Sequence, residues 1–144
     1  MKRVYAAIAA AVFIVGCGDS TGVEVDDLEG TWIATSYVFT NIANTSQTVD
    51  VISQGGSYTL TIRSDSSFTA SFVEPGESME TRVGNVIVTG TVLTIAESGQ
   101  GSPTDFSAVR NGDQMTLTTT DEDYDFDDDD VDDAATLMVE LARQ

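Results

Sequence analysis

Apolar and polar residues alternate with a period of two along much of the chain beyond residue 30. Tyr58, Leu60 and Ile62 share one face of a strand while Thr59, Thr61 and Arg63 share the other. Phe68, Ala70 and Phe72 alternate in the same way with Thr69 and Ser71, Met115 and Leu117 with Thr116 and Thr118, and Leu137, Val139 and Leu141 with Met138 and Glu140. Runs rich in Thr, Val, Ile, Tyr and Phe predict further strands over 31–40, 48–53, 79–89, 91–96 and 105–110. The connections are short and turn-like: Gly55-Gly56, Ser64-Asp65-Ser66, Gly90 and Asn111-Gly112-Asp113. Parallel neighbours need crossovers of about a dozen residues, so turns of this length dictate antiparallel pairing. The expected fold is all-β, an up-and-down meander of eight to nine strands. A barrel is favoured over the alternative β-sandwich because no long crossing connection interrupts the hairpins.

The N-terminal residues break this pattern. Lys2 and Arg3 precede an almost unbroken apolar run over 4–15, shorter than the ~20 residues needed to span a bilayer, as expected of a cleaved export signal. The run ends in Ile14-Val15-Gly16-Cys17, which resembles the lipobox of bacterial lipoproteins, where small and aliphatic residues precede a cysteine that is acylated before cleavage. The resemblance implies a lipoprotein signal peptide over 1–16, lipid attachment at Cys17, and a membrane hold through acyl chains that contribute ~0.8 kcal/mol per buried methylene. The implied location is the bacterial cell envelope. Gly18, not Asp, follows the cysteine, which leans toward the outer rather than the inner membrane. Residues 17–29 then form the lipidated Cys and a flexible acidic tether carrying Glu24, Asp26, Asp27 and Glu29, with too few apolar residues to pack. The barrel domain is expected over 30–144.

Composition narrows the chemistry. The 144 residues include 24 Asp and Glu against 6 Lys and Arg, a formal net charge of -18, which repels nucleic acid and anionic lipid headgroups. There is no His and only one Cys, so His-dependent nucleophilic catalysis, His-ligated zinc and an intramolecular disulfide are excluded. Loss of the first sixteen residues removes Lys2 and Arg3, so only Arg63, Arg82, Arg110 and Arg143 carry positive charge, and Schiff-base chemistry goes with the single lysine. Acids are plentiful, but they crowd into the tether and one loop, expected to be wet, with nothing apolar to raise a carboxyl toward neutrality. Glu80 and Glu140 fall on the polar faces of their strands. No enzyme is expected and no catalytic residue is assigned.

Leu28-Glu29-Gly30-Thr31-Trp32 opens the first strand with a Gly-x-Trp, Gly56 to Ile62 follows as Gly-x-Tyr-x-Leu-x-Ile, an Asp65 turn leads to Phe68, and Arg143 closes the last strand. This course resembles the lipocalin-like domains of bacterial lipoproteins. The resemblance implies an eight-stranded barrel in which Trp32 closes one end and Arg143 packs across its face, a cation-π contact of ~0.5 to 2 kcal/mol. The candidate inward residues are Trp32, Tyr58, Leu60, Ile62, Phe68, Phe72, Leu93, Ile95, Phe106, Met115, Leu117, Leu137 and Leu141. Of these, Tyr58, Leu60, Ile62, Phe68, Phe72, Phe106, Met115 and Leu117 are the candidates to line a ligand cavity. So many are bulky that a filled barrel is the alternative.

Ten acids occupy the thirteen positions 121–133, with Tyr124, Phe126 and Val131 between them. A hairpin needs only about two to five residues, so this is expected as an acidic loop inserted between the last two strands. Asp123, Asp125, Asp127 and Asp129 have the alternate spacing that lets carboxylates converge on Ca²⁺, a hard cation taking six to eight oxygens. No other cofactor is expected. The function expected is that of a lipid-anchored envelope lipoprotein whose barrel binds a small apolar ligand or an envelope partner protein. The alternative is a structural or interaction lipoprotein with a filled barrel and a cation-binding acidic loop.

Overall fold

The structure is a computed structural model and describes residues 23–99, 101–127 and 129–144. The proposed signal segment and Cys17 lie outside the described residues. A single helical turn, α1 (Val25–Leu28), precedes nine strands: β1 (Gly30–Asn41), β2 (Thr48–Asp50), β3 (Ser57–Ile62), β4 (Ser67–Val73), β5 (Glu80–Thr89), β6 (Val92–Glu97), β7 (Thr104–Asn111), β8 (Gln114–Tyr124) and β9 (Asp133–Arg143). Every pairing is antiparallel, and β3 to β9 follow one another as a meander. β1 then pairs with β3 through Gly30 to Ile33 and with β9 from Trp32 to Asn41, so the sheet closes on itself. Eight strands form this barrel, and the short β2 adds to the far end of β1 through Val38, Phe39 and Thr40. Closure decides between the two expected architectures in favour of the barrel.

The alternating residues fill the interior as their period requires. Leu60, Ile62, Phe68, Leu93, Met115, Leu117, Leu137 and Leu141 are all buried, with Trp32 and Leu93 fully so. At Gly84 the chain passes from pairing with β4 to pairing with β6. A Cβ there would lie 2.0 Å from the Ala96 carbonyl oxygen and 2.9 Å from Phe68 Cε1, so only glycine lets the strands approach this closely.

Three expectations are corrected. The described part of the segment expected as an unpacked tether packs: Val23 and Leu28 are buried in the core, and α1 folds Leu28 against the barrel end. Two buried apolar side chains suffice because the end of the barrel gives them a surface to cover. The strand expected over 48–53 stops at Asp50, whose carboxylate accepts the Ile52 amide and turns the chain. The acidic loop expected over 121–133 is shorter, because β8 runs on to Tyr124 and β9 starts at Asp133. A register shift between Thr119 and Glu122 makes this possible. Thr119 Oγ1 accepts the Asp121 amide at the bulge, after which Glu122 and Tyr124 resume inward alternation.

Candidate functional site

The two ends of the barrel differ. At one, Gly30 holds φ at +135°, a conformation that side-chain-bearing residues rarely adopt, which sets the entry of β1 and explains the glycine of the Gly-x-Trp. Trp32 is fully buried and its Nε1 donates to the Leu28 carbonyl at 2.8 Å. Arg143 Cζ sits 4.7 Å from the Trp32 ring centroid, and its Nη2 donates to the Asp27 carbonyl. Arg110 reaches the Asp27 carboxylate at 3.4 Å. The pair inferred from the resemblance, Trp32 with Arg143, is therefore in contact, and α1 plugs this end over it.

The other end is open. Here the barrel leaves a cavity of about 440 Å³. Its floor is Phe68, Ala70, Ile95, Phe106 and Leu137, and its walls carry Tyr37, Phe39, Tyr58, Phe72 and Tyr124. Tyr37 is the hub, with ring centroids 5.1 Å from Phe72, 5.2 Å from Tyr58 and 5.5 Å from Phe39. Phe39 stacks on Tyr124 at 4.6 Å. Asp50 fixes the hub from outside by accepting the Tyr37 amide at 3.1 Å, and the Val51 amide donates to the Tyr37 carbonyl. β2 is thus the brace that holds this wall.

Charge enters the cavity from three strands. The register places Arg82 opposite Ala70, on the cavity side, and Glu80 opposite Phe72, where its carboxylate stays exposed at the rim. Arg82 Nε meets Glu80 at 3.1 Å and its Nη1 meets Glu97 at 3.2 Å, and the hydrogen bonds to Glu80 raise the proton affinity of the guanidinium further. Glu122 is half-buried, and this burial raises its carboxyl above the usual glutamate range, opposed in part by Arg82 and reinforced by Asp121. Burial likewise pushes the Tyr37 and Tyr58 hydroxyls well above their ordinary value. The expectation that no acid would meet an apolar environment is corrected at Glu122, because β8 carries it onto the aromatic wall.

Of the eight residues expected to line a ligand cavity, Tyr58, Phe68, Phe72 and Phe106 do so. Leu60, Ile62, Met115 and Leu117 do not; they are packed in the filled half below, between the cavity floor and Trp32. Tyr37, Phe39, Arg82, Glu97, Glu122 and Tyr124 line it without having been anticipated. Arg82 and Glu97 were legible in principle from strand register, whereas Tyr37 and Glu122 lie beyond bulges that shift the alternation.

Comparison with known proteins finds no matching family model, no matching curated protein and no matching solved structure. On the rim, Asp125, Asp127 and Asp129 each place a carboxylate oxygen within 4.8 Å of the others. Asp123, expected with them, is not in that group, since it is held on β8 opposite Ala134. Asp125 instead organises the turn, accepting the amides of Asp127, Asp129 and Asp130 at 3.2, 3.3 and 3.0 Å. The neighbouring carboxylate of Asp129 raises the proton affinity of Asp127.

Proposed function

We propose that this protein is a lipid-anchored binding protein of the bacterial cell envelope, with a lipocalin-like barrel that holds one small molecule at its open end. The observation that carries the reading is the cavity itself, aromatic-walled, floored by packed side chains and open only away from the Trp32 plug. A volume of about 440 Å³ falls within the ~300–1,000 Å³ of small-molecule sites. Filling of the lower half leaves rigidity where it supports the walls, and the open half provides the space. The alternative of a wholly filled barrel describes only the half below Phe68.

The anchor rests on Ile14-Val15-Gly16-Cys17, and the geometry is compatible with it, since α1 brings the N-terminal chain to the plugged end and leaves the mouth facing away. The reading is of a carrier or receptor and not of an enzyme: the chain has no His, and no hydroxyl in the cavity has a histidine or lysine to activate it. Two measurements test this. Expressed in a bacterial host, the full chain incorporates labelled palmitate and Cys17→Ser does not; equal labelling refutes the anchor. Native mass spectrometry of residues 18–144, purified gently from the periplasm, shows a small-molecule adduct lost on unfolding. A bare chain that also takes up no added aromatic probe refutes the binding site.

A further inference from the structure

We propose that the molecule held at the open end is an organic cation, an ammonium-bearing compound whose apolar body lies on the aromatic floor while its charged head lies between the Tyr37, Tyr58 and Phe72 rings and Glu122. The inference rests on the binding reading above and deepens it by assigning a ligand class.

The three rings form a compact group, with centroids 5.1, 5.2 and 6.3 Å apart. Ring faces carry negative charge density, so rings converging on a pocket favour a cation, most strongly when the site is partly shielded from water. The ionised groups around them have the same sign. Glu74, Glu97, Glu122, Asp123, Asp125 and Asp132 line the cavity, with Arg82 as the single basic residue among the described residues that line it. That arginine is already engaged by Glu80 and Glu97 at 3.1 and 3.2 Å, which takes three of its five N–H donors and offsets its charge. Glu122 has no ion-pair partner within 4.0 Å among the described residues. It is a half-buried carboxylate on an aromatic wall with a net acidic surround.

The three ligand classes fare differently against this surface. A carboxylate or phosphate would meet six acids and an arginine already held by Glu80 and Glu97. A neutral apolar molecule would fit the floor but remove water from Glu122 without compensating it, which carries a desolvation cost. A cation with an apolar body fits the floor, replaces the water lost from Glu122 with an opposite charge, and meets the ring faces. The acidic rim over 125–132 adds a long-range field that draws cations toward the mouth and weakens with salt.

The test compares three ligands that share one body: 4-phenylbutyltrimethylammonium, 4-phenylbutan-1-ol and 5-phenylpentanoate. Each is titrated calorimetrically into residues 18–144, which contain every described element of the barrel. The ammonium compound binds at least ~10-fold more tightly than the alcohol, in line with a desolvated cation-π and charge contribution, and the carboxylate binds more weakly than the alcohol. Glu122→Gln, nearly the same shape, reduces the ammonium-to-alcohol affinity ratio by at least ~3-fold. If the alcohol or the carboxylate binds as tightly as the ammonium compound, the cationic assignment is overturned while the cavity stands as a binding site. If none of the three binds, the binding reading falls and this inference with it. An unchanged ratio in Glu122→Gln removes the carboxylate from the proposal and overturns it in the form stated.

Discussion

At the plugged end Arg143 lies over Trp32 and donates to a backbone carbonyl of α1; at the open end Arg82 stands between Glu80 and Glu97 beside a cavity. Both arginines project into the same barrel, yet one covers a buried ring and the other offsets carboxylates at a mouth. The difference lies in what surrounds them. Below, Leu60, Ile62, Leu93, Met115 and Leu141 leave no room, and the guanidinium completes a packed surface. Above, large rings stand around a space instead of filling it. Stability is therefore concentrated in the lower half, and the upper half gives up packing for a site.

The largest effect follows from Trp32→Ala. It removes a fully buried ring, its hydrogen bond to Leu28 and the surface under Arg143, and should lower the unfolding free energy by ~3–5 kcal/mol. Phe72→Ala, on the wall of an existing cavity, should cost less than half as much. Urea unfolding of the two variants checks this, and equal losses would break the contrast between the ends. Leu28→Ala comes next, at ~2–4 kcal/mol, because Leu28 is fully buried where α1 plugs the barrel. An unchanged urea midpoint would show that the plug is not part of the core.

A smaller effect sharpens the contrast through pH. Burial raises the Glu122 carboxyl above its ordinary value of 4.5, so the folded protein holds this proton more tightly than the unfolded chain. The resulting stabilisation is complete below 4.5 and is lost as pH rises through the higher folded value. Between pH 7.5 and the upper fours the wild-type Tm should therefore rise more on acidification than that of Glu122→Gln, since the variant lacks this proton. Thermal unfolding of both chains across that window tests the sign; equal rises would show that Glu122 is solvated, and a larger rise in the variant would show that the Arg82 charge outweighs burial.

The strands and their antiparallel order were legible because Tyr58 to Ile62, Phe68 to Phe72 and Leu137 to Leu141 alternate without a break, and each pairs in register with its neighbour. The candidate site was legible on the strands that alternate cleanly, which supplied Tyr58, Phe68 and Phe72, and on β7, which supplied Phe106. The opposite wall was hidden by two irregularities. Alternation carried forward from Trp32 would place Ser36 and Val38 inside, but the shift between Ala34 and Ser36 brings Tyr37 and Phe39 inward. The shift between Thr119 and Glu122 does the same for Glu122 and Tyr124. Both shifts lie in strands that flank β9, and beyond them lies the open-end wall. Local period-two reading cannot see a bulge, because the extra residue is specified by the partner strand and by side-chain contacts such as Thr119 with the Asp121 amide. Packing of Val23 and Leu28 was missed for a related reason, since their burial depends on the barrel end that receives them.

The smallest effect on stability should come from the rim, where Asp125→Ala removes the acceptor for three amides, those of Asp127, Asp129 and Asp130. The turn is exposed and contributes little to the core, so the unfolding free energy should change by less than ~1 kcal/mol. Local order should respond far more. Amide hydrogen exchange at those three positions should accelerate at least ~10-fold, because protection there reflects local opening rather than global unfolding. Asp125→Asn retains the oxygen that accepts the Asp127 and Asp129 amides but puts an NH2 where Oδ2 accepts that of Asp130, so exchange at Asp127 and Asp129 should stay much closer to wild type than in Asp125→Ala. Were Asn as fast as Ala, the carboxylate charge rather than its acceptor geometry would be holding the turn. If Asp125→Ala instead lost as much stability as Leu28→Ala, the acidic rim would be part of the fold's foundation, and the division between a stabilising end and a binding end would have to be redrawn to place the rim with the core.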